Sequence, residues 1–482
     1  MNTNTFPQLE QFRLAVYHSF DRRADATMEL LDALTGNQQA RSVVELSLAP
    51  DFRRTYSSVY AAVGECFTVT APAHRREREQ TLLRLIALRL ARPPRRKFWL
   101  FGIDATSVPR VFAPTLPDRG FVHCANPIGG NKPITLGHQY SLLAYLPDKL
   151  PGGASAWLVP LIWRRISTQE SELAVAVAQV ATLLTDVRLP FHNALCVQVD
   201  DSRYSTPAFL HPVAQHANLV TIARLRGTRT LYRPATPVAA DTRPAGHPTW
   251  YGAPYALHKP TTWGPPAQTV ETTHTSRRGR TYTVQIQAWH DLLMRGTRKH
   301  AMHAQPFTLV RVRLLTAAGQ PAFKRDLWLV VLGARRLELT LLEIQQAYAQ
   351  RFDLEHFFRF SKQRLLLTGF QTPETERETN WLQLVQLAYV QLYLARSLAA
   401  ANRRPWERYL PSQPAAPATP STTQRAFAEI IRPIGTPAAA PKRRGIPPGR
   451  AKGASPGLRP RYPVVKKTPP LANKTLNQPQ TG

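Results

Sequence analysis

The chain has 482 residues, with 62 Lys and Arg against 31 Asp and Glu, a formal net charge of +31. Apolar residues make up 43% and aromatic residues 9%, which supports packed cores and excludes a wholly disordered chain. No apolar stretch approaches the ~18 residues of a membrane span, and three scattered cysteines, Cys66, Cys124 and Cys196, exclude both a disulfide framework and a Cys-x-x-Cys zinc site.

The length implies roughly two to four domains. The amino end lacks the basic-then-apolar pattern of an export signal, so a cytoplasmic location is expected. The charge makes a polyanion the leading partner, because neutralising phosphates and releasing their counterions supplies most nonspecific nucleic-acid affinity.

In chain order, residues 1–95 read as a helical region, with helices expected over 9–20, 26–34, 52–66 and 76–90. Pro93-Pro94 stops the last of these. Its charge and position make DNA binding one reading of this region and a packing role the other. Residues 96–226 then give strands at 98–103, 138–145 and 156–166, a helix at 171–184, a strand at 195–199, a helix at 206–216 and a strand at 219–225. Three successive strands followed by alternating helices and strands predict an α/β fold, a mixed sheet with helices packed on it.

The stretch 227–325 breaks this rhythm and reads as a β-rich insertion, with strands at 281–287 and 308–315. Residues 326–402 return to the sheet through a strand at 327–332 and continue into a long helix at 341–366. The segment 403–482 holds 16 of the 43 prolines and 15 Lys and Arg against Glu407 and Glu429 alone, and is expected to be a disordered basic tail. Without it the chain keeps a net charge of +18, so the folded part is basic too.

Nucleotide phosphate loops, nucleophile elbows and His-Glu-x-x-His are absent, and Gly129-Gly130-Asn131-Lys132 lacks the spacing of a phosphate loop. The informative acids are those at strand ends: Asp104 after the first strand of the sheet, and the pair Asp200-Asp201 after the strand at 195–199. Carboxylates so placed project into one crevice and can hold hard divalent cations. A third carboxylate lies on the long helix. At ~100° per residue Tyr348, Arg351, Glu355 and Lys362 fall on one stripe.

This spacing, Tyr, two residues, Arg, three residues, Glu, six residues, Lys, resembles the Tyr-Arg-Glu-Lys signature of bacterial insertion-sequence transposases of the DDE superfamily. Phe101-Gly102-Ile103-Asp104-Ala105-Thr106 resembles the family's first motif, a strand ending in Asp-x-Thr. Val199-Asp200-Asp201-Ser202-Arg203-Tyr204 resembles its second, a register that favours Asp201 over Asp200. The 153 residues between Asp201 and Glu355 resemble the family's layout, with an insertion before the Glu helix.

The resemblance implies an RNase H-like catalytic fold in which Asp104, Asp201 and Glu355 bind two Mg²⁺ or Mn²⁺ ions. These would activate a water or 3′ hydroxyl and stabilise the leaving 3′ oxygen, ~3.5–4 Å apart across the scissile phosphate. Tyr348, Arg351 and Lys362 would contact DNA phosphates. The implied partners are terminal inverted repeats and target DNA, held by a homodimer near the bacterial nucleoid. Trp250, Trp263 and Trp289 are candidates by location for stacking on a flipped base, and Arg224, Arg226, Arg229 and Arg233 for tracking the backbone. Two other readings stand beside this one: an inactive transposase-derived DNA-binding protein, and an RNase H-like nuclease without strand transfer.

Overall fold

A computed structural model describes residues 5–466, except 70, 125–131, 150–155, 237–249, 277, 402–417, 443–448, 450 and 456. The Gly129–Asn131 stretch therefore lies outside the described residues.

Four helices open the chain: α1 (Thr5–His18), α2 (Ala24–Thr35), α3 (Tyr56–Glu65) and α4 (Pro72–Ala87). Ten strands form one mixed sheet. Strands β1 (Trp99–Pro109), β3 (Ile134–Tyr145) and β4 (Val159–Ile166) are antiparallel neighbours, with the short β2 (Gly120–His123) sharing the outer edge of β3. Beyond β1, strands β5 (Cys196–Asp200) and β6 (Leu219–Leu225) run parallel to it, reached through α5 (Glu172–Thr185) and α6 (Pro207–Val213). This is the mixed sheet flanked by helices that the strand and helix order predicts.

The 227–325 stretch is less separate than expected. Its first strands, β7 (Thr230–Pro234) and β8 (Tyr251–Ala256), pair with each other. Its others, β9 (Gln268–Thr275), β10 (Thr281–Leu292) and β11 (Phe307–Leu315), form an antiparallel ribbon. The ribbon joins the main sheet because β11 pairs with β12 (Leu327–Leu332), which pairs with β6. The insertion thus extends the sheet by three strands.

Two further expectations are corrected. The single helix over 341–366 is two, α7 (Leu341–Gln350) and α8 (Phe352–Arg364), divided at Arg351. There the Arg351 N–H bonds the Tyr348 carbonyl and the Leu354 N–H bonds that of Arg351, at 3.1 and 3.0 Å, a three-residue step that tightens the turn. Thr340 and Glu343 start α7 with a reciprocal capping box.

The basic segment after 403 is not without structure. It contains α10 (Pro420–Ile431), which buries Phe427, Ile430 and Ile431 against α2 and the 27-residue α9 (Thr375–Ala401). One amphipathic helix suffices to anchor a segment whose composition otherwise opposes folding.

Helix α9 organises the body: α1, α2, α3, α10 and β4 all pack on it. Every residue from Ala26 to Thr35 of α2 is buried, so that helix serves the core. On α4, Arg75 pairs with Glu376, Arg78 with Asp21 and Arg84 with Asp186, while Glu79 pairs with Arg164 of β4. Much of this helix's charge is therefore committed to holding it on the body. Among the described residues no helix is long and apolar enough to cross a membrane.

Candidate active site

Strand β1 is buried from Trp99 to Ile103 and becomes partly exposed at Asp104, just where β5 ends beside it. Gly102 lies opposite Val199 in the parallel ladder. By the two-residue alternation of strands, Asp104 shares the face of Gly102, and Asp201, one residue past β5, shares that of Val199. Asp104 and Asp201 therefore project from the same side of the sheet.

Gly102 also shows what lies on that side. A Cβ added there would stand 2.9 Å from Leu354 Cδ1, so the missing side chain lets α8 settle onto the strand. Glu355, the next residue, arrives with it.

Asp200 belongs to the opposite face, with Gln198. Its carboxyl is fully buried, and Gln198 Nε2 donates to both oxygens, at 2.9 and 3.0 Å. Burial pushes its pKa well above the ordinary value, and the Asp201 and Asp104 charges add to this against the Gln198 bonds and the Arg351 charge. A carboxyl so enclosed cannot meet a substrate, and the register argues for the partly exposed Asp201 as the partner of Asp104.

Burial also raises the Asp104 carboxyl, to about 6, against the lowering effect of Arg351 and the Ala105 N–H. Asp201 and Glu172 add negative charge beside it. Because this acid holds its proton more tightly folded than unfolded, stability falls as pH rises from the ordinary aspartate value toward 6. Asp104→Asn is expected to escape that loss. In the presence of EDTA it should be more stable than wild type by about 1–2 kcal/mol above ~pH 7, and equal to it below ~pH 4, in urea unfolding followed across pH.

Arg351, at the junction of α7 and α8, links the carboxylates. Its Nη2 donates to Glu355 Oε1 at 2.7 Å and its Nη1 approaches Asp104 Oδ2 at 3.5 Å. Glu355 is otherwise open to solvent, with 47% of its side chain exposed. Among the described residues no group of three or more His, Cys, Asp or Glu is gathered closely enough to hold a metal ion. Asp104 and Asp201 offer hard oxygen donors from one face, as Mg²⁺ or Mn²⁺ requires. Glu355 stands on the far side of the Arg351 guanidinium.

Of the remaining signature residues, Tyr348 is buried, and its hydroxyl feels the charges of Arg351, Arg224 and Asp201. Burial raises its pKa against the two arginines. Lys362 lies about 10 Å farther along α8 than Glu355, at ~1.5 Å per residue. It has no ion-pair partner among the described residues, and burial lowers its pKa.

The tryptophans divide. Trp289 is buried, and Trp263 packs against it, Tyr255 and Trp328, with ring centroids 5.0–6.5 Å apart. Both are core. Trp250 is exposed and stacks on His303 at 3.8 Å. Arg229 and Arg233 are engaged with backbone carbonyls of Ser205 and Trp263, whereas Arg224 and Arg226 are exposed at the end of β6. The sequence reading missed Glu172, a buried acid in the first turn of α5 whose charge reaches Asp104. Nothing in its local pattern distinguishes it from an ordinary helix-start acid.

A basic α/β protein whose sheet presents two acids from one face, with a helix-borne glutamate over them, has the makings of a phosphodiester-cutting enzyme. The family model of the DDE superfamily endonucleases matches residues 15–296, and the chain belongs to that family. The match takes in Asp104 and Asp201 and ends before α7 and α8. Comparison with curated proteins found no match.

Proposed function

We propose that the protein is a transposase that cuts DNA at insertion-sequence ends and joins the exposed 3′ hydroxyl to target DNA. The observation that carries this reading is the common face of Asp104 and Asp201 beneath the helix bearing Glu355, on a chain with a net charge of +31. Family membership supports DNA cleavage as the chemistry.

In this reading Asp104 and Asp201 hold divalent cations, with Glu355 joining them. Bound there, Mg²⁺ or Mn²⁺ would lower the pKa of the attacking hydroxyl and neutralise the leaving 3′ oxygen. The chain's own groups do the rest. Arg351 neutralises the carboxylates until DNA arrives, then exchanges them for a phosphate, for which its planar fork is equally suited. Lys362, on the same helix and without an ion-pair partner among the described residues, takes a neighbouring phosphate. Tyr348 supports Arg351 from the buried side. Arg224 lies near enough to extend the basic track, and the exposed Trp250 offers the base-stacking surface that Trp263 and Trp289 do not. A homodimer would hold two ends together.

The test is cleavage of labelled duplex DNA carrying the element's terminal inverted repeat, with Mg²⁺, Mn²⁺ or EDTA, followed by a search for joined products with a target plasmid. Metal-dependent nicks at the repeat boundary and joined products are the expected result. Nicks without joining would favour an endonuclease that does not transfer strands, a reading the family's description also accommodates. Binding without cutting would leave a DNA-binding relative.

A further inference from the structure

We propose that Glu172 is a positioning residue for Asp201, acting through the turn that follows β5; its consequence for metal binding rests on the function proposed above.

The carboxylate of Glu172 is buried at the start of α5, on a different element from any signature residue. Its Oε2 accepts from Arg203 Nε at 2.7 Å and from Gln139 Nε2 at 3.2 Å. Gln139 belongs to β3, so this end of α5 is fixed to the sheet.

Arg203 makes a second contact of a different kind. Its backbone N–H donates to Asp201 Oδ1 at 2.7 Å, while the Tyr204 N–H reaches the Asp201 carbonyl at 3.3 Å. One residue thus holds the Asp201 carboxylate with its main chain and is itself held by Glu172 with its side chain. Tyr204 closes the arrangement: it is buried, its ring packs edge-on against Phe209 at 5.1 Å, and its hydroxyl lies amid the charges of Glu172, Asp104 and Asp200.

Asp201 lies beyond the last ladder bond of β5, where no strand partner fixes its direction. An aspartate on a free turn samples several rotamers. The Glu172 to Arg203 link removes that freedom at its source, in the manner of outer-shell groups that orient metal-binding side chains. An acid serving only the N-terminus of α5 would need neither contact, because interaction with the helix dipole requires only proximity to its first turn.

The two roles separate experimentally in the full-length protein. Amide hydrogen exchange of peptides spanning 200–206 should rise about fivefold or more in Glu172→Ala and in Arg203→Ala, and less in Glu172→Gln, which keeps an acceptor for Arg203. Because the Arg203 side chain is 63% exposed, its removal leaves the fold intact and keeps the test valid should Glu172→Ala fail to fold. Binding of Mn²⁺ alone, followed by electron paramagnetic resonance, should weaken about tenfold in both variants. The double variant should be no worse than either single one. Faster exchange confined to 172–185, or losses in Mn²⁺ affinity that add in the double variant, would overturn the proposal. Should wild type bind no Mn²⁺ while 200–206 still loosens in Glu172→Ala, the positioning role stands and the function proposed above fails.

Discussion

On the proposed reading, in which Asp201 holds a divalent cation, replacing it by Asn is expected to reduce DNA cleavage by about a thousandfold, because a lost metal ligand forfeits several kcal/mol of transition-state stabilisation and each 1.36 kcal/mol is a factor of ten. Asp104→Asn and Glu355→Gln should do the same. Asp200→Asn is expected to lose less than about tenfold, since burial already favours the neutral carboxyl there and an amide oxygen can still accept from Gln198. Single-turnover cleavage with each variant checks this, beside thermal unfolding to show that each is folded. Glu355→Gln should unfold within about 1 kcal/mol of wild type, the ordinary worth of an exposed ion pair such as that with Arg351. If Asp200→Asn abolishes cutting and Asp201→Asn spares it, the register argument has chosen the wrong acid.

The residues of the site were legible in the sequence only where chain spacing places them. Two adjacent aspartates at a strand end fall on opposite faces by period two alone once the ladder is known. The spacing from Tyr348 to Lys362 located the Glu helix without any structure. The division at Arg351 was not legible, because a three-residue step keeps helical dihedrals and leaves no Gly or Pro to mark it. Nor was the ion pairing of Arg351 with Asp104, which depends on how α8 meets β1. Glu172 was invisible for the same reason: its partners come from β3 and from the turn after β5.

Elsewhere the failures follow from pattern strength. Strand β9, Gln-Thr-Val-Glu-Thr-Thr-His-Thr, is an exposed edge with no apolar face, so alternation has nothing to show. Strand β2 has four residues, too few for a period. Helix α9 is buried nearly all round and carries Asn380, Gln383, Gln386 and Gln391 inside, which erases the amphipathic stripe. In α10 the stripe was present at Thr423, Phe427, Ile430 and Ile431, but the prolines and charge of the surrounding segment outweighed it. The core strands, dominated by apolar residues, were the easiest to place.

The second large effect lies away from the site and tests what holds its strands. Glu378 is fully buried on α9 and meets Arg110 just after β1, and His138 and Tyr140 on β3. Arg110 Nε approaches it at 2.5 Å and the Tyr140 hydroxyl at 2.7 Å. Arg110 also donates to the carbonyls of Pro109 and Thr368. The network therefore ties α9 to the end of β1, the strand that carries Asp104, and to its neighbour β3. Glu378→Gln keeps the shape and leaves the Arg110 charge buried without its counter-charge, a change that costs about 3–5 kcal/mol when a buried pair loses one member.

The pH dependence gives the effect its signature. Burial pushes the Glu378 carboxyl up, but His138, Arg110 and Tyr140 together bring it below its ordinary value. An acid depressed in this way contributes stability that is complete above its unfolded pKa, ~4.3 for glutamate, and is lost as pH falls through the lower folded value. The deficit of Glu378→Gln in urea unfolding should therefore be full at neutral pH and shrink once the medium is more acidic than the ordinary glutamate range. A deficit below about 1 kcal/mol at pH 7 would mean that the network satisfies buried polar groups without adding stability, as a buried ion pair can when its desolvation cancels its attraction. A deficit that is large but constant with pH would place the cost in the altered hydrogen bonds to Tyr140 and His138 and not in the unpaired charge of Arg110.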